Sequence, residues 1–456
     1  MTSIAVPRPA PIPAARTGLG WALMVFIWLL PFHILTMAVL FGAFGLPAPV
    51  VRAIAAWKEA LVAALVALTV ARAFTGHGPR LPVRAADLAV AGLGLLALVY
   101  LIGAGVWFGG DLRLGAQALG LRDAVFFTLL YFVGRATPEI AGDPRYFRAL
   151  IAIGVVTSVI AILERLLVTP EMLVLLGAAQ YVQVFLGLAV TTVHNAYGLP
   201  DSYWTILGDQ WVQRAGSTYL SSQGFAVPFI IILPAATLAL FTAERKRGWA
   251  WAACAVLWAG LLLTVTRMTT LVCALQVLLL AALYRRWGAA VGGAVLITLG
   301  AAVAALVVPG FATFVWQSLT WESVSSASHL EDWTEGTAHL LEHPLGVGLG
   351  TGGLTAARFG LPPIAADSQY FKYSVELGVL GLGLYVAALA GFLVAGARAF
   401  RSGRTGSVRT YGALVAVATL GIALNGATTI LLSNPFLAYA FFWLAGTAVR
   451  VSDERP

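Results

Sequence analysis

HPLGVGLGTGGLTAARFGLPPIAADSQYFKYSVELGVLG, residues 343–381, passes from a glycine-rich run through Asp367, the one carboxylate ahead of the apolar part, into a long apolar stretch. The apolar part decides the fold. It runs from about 369 to 396, long enough to cross a hydrocarbon core of ~30 Å. A lone carboxylate where an irregular loop enters such a helix is a place for chemistry at the membrane surface.

Composition agrees with that reading. Of 456 residues 60% are hydrophobic and 11% charged, and mean hydropathy is +0.87. Soluble domains carry about 25% charged residues, so the expectation is an all-α polytopic membrane protein. Apolar runs fall at about 21–43, 54–74, 85–108, 118–134, 146–168 and 222–242. Six more fall at about 248–266, 268–285, 288–309, 369–396, 410–430 and 434–450, which predicts about 12 transmembrane helices. One continuous helix over 248–285 would extend ~54 Å, so a turn is expected near Thr266–Thr270.

With the N-terminus placed in the cytoplasm, eighteen of the 28 basic residues fall on inner segments and five on outer ones. That asymmetry is the positive-inside pattern. It puts both termini in the cytoplasm and explains the net charge of +8 without nucleic acid. The chain reads as one integral membrane domain, 1–456, with cytoplasmic tails at 1–18 and 451–456. Two long segments, 169–221 and 310–368, lie outside, both rich in aromatic residues. The apolar run 172–190 inside the first is expected to be interfacial or re-entrant, since counting it as a span would invert the charge pattern downstream. Cys254 and Cys273 lie within spans and imply no disulfide framework.

Five cations are expected near the outer face: Lys58, Arg113, Arg122, Arg214 and Arg267. Ionisable residues at membrane depth are costly and tend to be functional. Guanidinium groups match phosphate oxygens two-pronged; the bland alternative is that each anchors its span by snorkelling. Two other motifs mislead. HLLEH, His339–His343, fits a zinc-protease pattern, but Pro344 ends the helix it needs. GLGTGG, Gly348–Gly353, fits a dinucleotide loop, but no buried strand precedes it. Its glycines are better read as a tight, non-helical path near a ligand or another helix. His33, His194 and His329 read as structural, and no metal site is expected.

With these residues in hand, the chain resembles the O-antigen ligase and polysaccharide polymerase superfamily. RAGSTYLSSQGFAVPF (Arg214–Phe229) resembles the family's arginine-led entry into a middle span. LTVTRMTTL (Leu263–Leu271) is similar to its T-x-S-R element, with Thr266 in place of serine, and HPLGVGLG (His343–Gly350) to its signature after the large outer loop. The ligase hallmark is His, then Asn, Ser or Gln, nine residues, then a paired-glycine element. Here Asp367-Ser368 precedes Gly378-Val-Leu-Gly381 at that spacing, with Asp367 where the histidine would stand.

The resemblance implies a C-type glycosyltransferase fold in the bacterial inner membrane with a periplasmic active site. It implies an inverting, metal-independent enzyme without cofactor. The donor would be an undecaprenyl-pyrophosphate-linked oligosaccharide and the acceptor a glycan or lipid-linked hydroxyl, with membrane lipid around it. A chain-length regulator is a further partner it allows. Asp367 would act as base, with Arg214 and Arg267 as pyrophosphate ligands. Arg122, Lys58, Arg113, His343, Gly348, Gly350, Ser368 and Lys372 are candidates for binding pyrophosphate or glycan. Asp367 in place of histidine favours a polymerase; a ligase acting on lipid A core, or a protein O-oligosaccharyltransferase, is the alternative. For Asp367 the plain structural role is a helix N-cap, and for Glu376 it is orienting Lys372 four residues earlier. A flippase or transporter would be expected to hold charges near the bilayer midplane, whereas Glu59, Asp123, Glu164 and Glu376 lie toward span ends.

Overall fold

The computed structural model describes residues 18–75, 82–107, 114–188, 190, 196–207, 210–242, 247–307, 310–320, 322, 324–361, 364, 367–403 and 405–453. Arg113 and His194 lie outside them. Helix α1 (Gly18–Ala38) is extended by a π-helical turn, Val39–Ala43. Then come α2 (Trp57–Phe74), α3 (Ala85–Trp107), α4 (Leu114–Val125), α5 (Leu129–Arg135) and α6 (Pro144–Leu167). After the first long segment follow α7 (Phe229–Thr242), α8 (Arg247–Leu263), α9 (Arg267–Leu283) and α10 (Trp287–Val307). The second long segment carries α11 (Val324–Glu342). The chain closes with α12 (Gln369–Ser402), α13 (Gly406–Asn425) and α14 (Pro435–Val451).

Eight helical stretches among the described residues are long and apolar enough to cross a membrane. The protein is a multi-pass, all-α membrane protein. Four shorter apolar helices, Gly248–Leu263, Arg267–Leu283, Trp287–Gly300 and Pro435–Val451, stand where the other predicted spans fall. The run 172–190 contains helices of six, three and five residues, too short to cross. At the interface of α5 and α14, Gly134 and Gly446 lie against opposing backbone, the small-residue contact that membrane helices use to approach closely.

Three local features depart from the hydropathy pattern. The turn between α8 and α9 comes slightly earlier than expected, over Thr264–Thr266. Val265 takes a left-handed conformation there, with φ 49°. The Thr264 hydroxyl donates to the Leu261 carbonyl at 2.6 Å, and Thr266 N donates to the Thr264 hydroxyl oxygen at 3.2 Å. Hydroxyl side chains thus take over backbone bonds that the helix drops. The first long segment also contains an antiparallel hairpin, β1 (Trp204–Leu207) and β2 (Gln210–Gln213). The sequence places Gly208 and Asp209 between two β-prone runs, a hairpin signal in its own right.

The third feature organises the loop-bearing end. Helix α12 is interrupted at Gly378, whose φ is 66° and ψ −163°. A break inside a membrane helix frees backbone groups that lipid cannot satisfy. The segment from Pro344 to Gly348 satisfies them. Val379 N donates to the Pro344 carbonyl at 2.9 Å, Val347 N to Val375 O at 2.8 Å, and Gly348 N to Glu376 O at 3.2 Å. A Cβ on Gly378 would overlap the Pro344 carbonyl oxygen, and one on Gly346 would sit 2.6 Å from Gly378 N.

A Gly378→Ala change should therefore destabilise the protein by about 2 kcal/mol or more, from left-handed strain and the lost contact. Gly383→Ala, five residues on in the same helix, has open space for its Cβ and should be neutral. Thermal unfolding of both variants in detergent checks this, and equal midpoints would remove the break from the stability argument.

Candidate functional site

The glycine loop is held by a buried carboxylate. Glu376, two residues before the break, accepts from Gly350 N and Gly352 N, each at 3.3 Å. The same oxygen accepts from Lys372 Nζ at 3.0 Å, and both side chains are almost fully buried. Lys372 is thereby committed to the i, i+4 pair that the sequence suggests. On its other side the loop meets α4, where a Cβ on Gly350 would overlap the Ala116 carbonyl. Gly348 and Gly350 have φ of 104° and 79°, so the tight path near another helix is what the structure shows for them. His343 follows the end of α11, its N–H donating to His339 O at 2.8 Å, and the two imidazoles lie 4.7 Å apart.

Arg214 emerges directly from β2. Its N–H donates to the Tyr203 carbonyl at 2.6 Å, and Ala215 N donates to Leu263 O at 3.0 Å. Its guanidinium donates to Thr264 O at 2.6 Å and to the Thr266 hydroxyl at 2.9 Å. These acceptors are neutral, and Arg267 begins the next helix. Burial, and after it the charge of Arg267, pulls the Arg214 pKa down to about 10, so it stays protonated at neutral pH. Behind this pair Glu164, in the last turn of α6, accepts from Gly216 N at 3.3 Å and Ser217 N at 2.6 Å. Two guanidinium groups are thus brought together from segments far apart in sequence, and an anion between them would relieve their repulsion.

Asp367 lies just before α12. The N-cap is Ser368, not Asp367: the Ser368 hydroxyl oxygen accepts from Phe371 N at 3.4 Å. Ser368 also donates to Gly426 O at 3.3 Å, and Gln369 N to the same carbonyl at 2.8 Å. Asp367 is therefore not needed to cap the helix. Burial raises its pKa above the ordinary carboxylate range, and His329 partly offsets this. One donor atom from each of His329, Asp332 and Asp367 lies within 4.8 Å of the others. Nothing in the sequence spacing signals that His329 belongs here, because α11 reaches Asp367 through the fold.

A short chain of bonds places Arg267 and Asp367 at the same end of the bundle. Thr269, two residues into α9 from Arg267, donates to Asn425 Oδ1 at 3.2 Å. Asn425 ends α13, and the next carbonyl, Gly426 O, receives Ser368 and Gln369. The other cations form a second group. Lys58 Nζ meets Glu59 at 3.2 Å and His33 Nε2 at 3.1 Å, while Arg122 meets Asp123 at 2.9 Å and Glu59 at 3.9 Å. Thr355 from the second long segment donates to Asp123 at 3.1 Å, tying that segment to α4. Lys58 and Arg122 thus stand in a network with carboxylates, apart from the Arg214–Arg267 pair.

Residues 252–386 match a family model described as O-antigen ligase. The match begins within α8 and ends within α12, so it contains Arg267, the glycine loop and Asp367 but not Arg214. No curated protein sequence matches the chain. Within the matched residues, HPLGVGLG (His343–Gly350) contains the segment that splints the break in α12.

Removing one member of a buried ion pair leaves the other uncompensated, at a cost of about 3–5 kcal/mol. Lys372→Met should lower stability by that order, and Lys372→Met with Glu376→Gln should recover much of it. A double-mutant unfolding series in detergent checks the coupling, and additive losses would show that the two side chains do not act as a pair.

Proposed function

We propose that the protein is a polysaccharide polymerase of the bacterial inner membrane, transferring glycan from undecaprenyl pyrophosphate to an acceptor sugar hydroxyl at the periplasmic face. The observation that carries this reading is a part-buried, non-capping carboxylate, Asp367, at the same end of the bundle as Arg267 and Arg214, whose guanidinium donates to two neutral acceptors, Thr264 O and the Thr266 hydroxyl. The match of residues 252–386 to the O-antigen ligase family model supports the class of reaction.

In this reaction the acceptor oxygen attacks the anomeric carbon, forming the new glycosidic bond with inversion. The bond from that carbon to the pyrophosphate oxygen breaks, and its electron pair leaves with the lipid pyrophosphate. Asp367 takes the hydroxyl proton. Arg214 and Arg267 meet the charge growing on the leaving group, a task at which two preorganised guanidinium groups serve well. A ligase that delivers the glycan to lipid A core uses the same machinery with another acceptor. The family description favours that second reading, and the carboxylate at the hallmark histidine position favours polymerase.

Each charge-assisted contact contributes about 1.5–3 kcal/mol, roughly 10–150-fold in rate. Arg267→Ala and Arg214→Ala should each lose activity by that order while still inserting in the membrane. Asp367→Asn should lose about 10²–10⁴-fold at unchanged stability, since Ser368 supplies the cap. Purified protein given lipid-linked repeat units alone separates the two readings: a ladder of longer chains supports polymerase, and transfer only when lipid A core is added supports ligase.

The pH dependence follows from the burial of Asp367. Its raised pKa means that it protonates at a higher pH than an exposed aspartate, whose value is about 3.9. Activity requires the ionised form, so it should be full at high pH and fall as pH drops through that raised value. An acid limb at the ordinary aspartate value, or one that persists in Asp367→Asn, would assign it to another group.

A further inference from the structure

Resting on that reading, we propose that His329, Asp332 and Trp333 of α11 form the acceptor-sugar subsite, holding a sugar hydroxyl against Asp367. The four positions 329, 332, 333 and 336 share one face of α11 by i, i+3, i+4, i+7 spacing. That face lies over the start of α12. A Cβ on Gly336 would stand 2.6 Å from the Phe371 ring, and the Trp333 indole N–H donates to Ala427 O at 2.8 Å. Gly336 and Trp333 hold the helix here, so its placement does not rest on His329 or Asp332.

Three observations point to a polyhydroxylated ligand. An oxygen hydrogen-bonded to two atoms at about 2.8 Å holds them about 4.6 Å apart. The donor atoms of His329, Asp332 and Asp367 lie within 4.8 Å of one another, a spacing that one hydroxyl oxygen can bridge. His329 Nδ1 is buried and has no hydrogen-bond partner among the described residues, so the ring offers a donor or acceptor to such a group. Trp333 has its N–H fixed yet remains 36% exposed. An indole held at its polar edge presents an apolar face on which the C–H face of a sugar ring can stack.

Among the described residues, α11 contributes His329 and Asp332 to the subsite. Lys372 of α12 is turned to Glu376. On α13 the neighbouring groups are the neutral Asn425 and the Gly426 carbonyl. Neutral sugar hydroxyls suit a cluster of two carboxylates and one imidazole better than an anionic acceptor group does. His329 and Asp332 are then positioning residues: they fix the hydroxyl, and Asp367 receives its proton.

The test uses the full-length protein in detergent, with lipid-linked repeat unit as donor and the same glycan, released from its lipid, as the varied acceptor. His329→Gln and Trp333→Ala should raise the acceptor KM roughly tenfold or more, with donor KM unchanged and kcat within about threefold. Trp333→Phe keeps a stacking face without the N–H bond and should stay near the wild-type acceptor KM, which separates stacking from anchoring of the helix. An unchanged acceptor KM in a His329→Gln protein that unfolds at the wild-type temperature overturns the subsite. Loss of activity on chelation, restored by manganese or zinc alone, also overturns it and assigns the three donors to a cation. Asp367→Asn keeps the two questions apart. Full activity in that variant sinks the base reading itself, whereas an inactive Asp367→Asn beside an unaltered His329→Gln sinks only the subsite.

Discussion

The break in α12 at Gly378 is the constraint on which the loop-bearing end depends. A membrane helix cannot leave its amides unpaired, and here the partners come from residues 344–348 of the preceding loop. The loop consequently has one path. It enters from the end of α11, crosses the break and turns so that Gly350 N and Gly352 N reach Glu376. Because Glu376 lies on α12 itself, the helix that begins beside Asp367 also holds the loop that leads to it. The glycines follow from this geometry. A side chain at Gly378, Gly346 or Gly350 would occupy backbone that is already there.

A second clamp has the same logic. The turn between α8 and α9 releases the Leu263 and Thr264 carbonyls, and the Arg214 segment takes both, through Ala215 N and the Arg214 guanidinium. Glu164 closes the clamp from behind by accepting two consecutive amides. Irregular backbone at both places is satisfied by other protein segments, as membrane depth demands. Both irregularities place ionisable groups at their edges: the two arginines beside one, and Asp367 at the start of the helix carrying the other. Rigid support of this kind is what an electrostatic site needs, since preorganised charges need little rearrangement as the reaction proceeds.

Much of this was legible in the amino-acid sequence, for identifiable reasons. The apolar runs mark the helices because lipid permits few other structures, and each predicted span has a helix in its place. The pairing of Lys372 with Glu376 follows from helical spacing alone. What stayed hidden depends on contacts between distant segments. The residues around Gly378 continue an apolar pattern, so hydropathy gives no sign that the helix stops. Asp367 reads as a good N-cap by composition, and only the backbone geometry gives that task to Ser368. His329 sits on a helix whose approach to Asp367 is fixed by Trp333 and Gly336, not by any motif. The hairpin before Arg214 did carry a signal, the Gly208-Asp209 pair, but in a chain so apolar it is outweighed by the helical pattern around it.

An aspartate at position 367, where the hallmark of the resembled family has histidine, has a physical reading in the proposed role of base. A general base works best when its pKa lies near the working pH, which an imidazole meets by its intrinsic value of about 6.5 and an exposed aspartate, at about 3.9, does not. Burial moves a carboxyl in the required direction by disfavouring its charged form, and Asp367 is raised in this way. The same burial would cost an ionised carboxylate too much if nothing opposed it. His329 supplies the opposing interaction from α11, close enough to moderate the shift. In the proposed role of base, burial thus moves Asp367 in the direction of a histidine's proton affinity, and the neighbouring imidazole of His329 limits that movement.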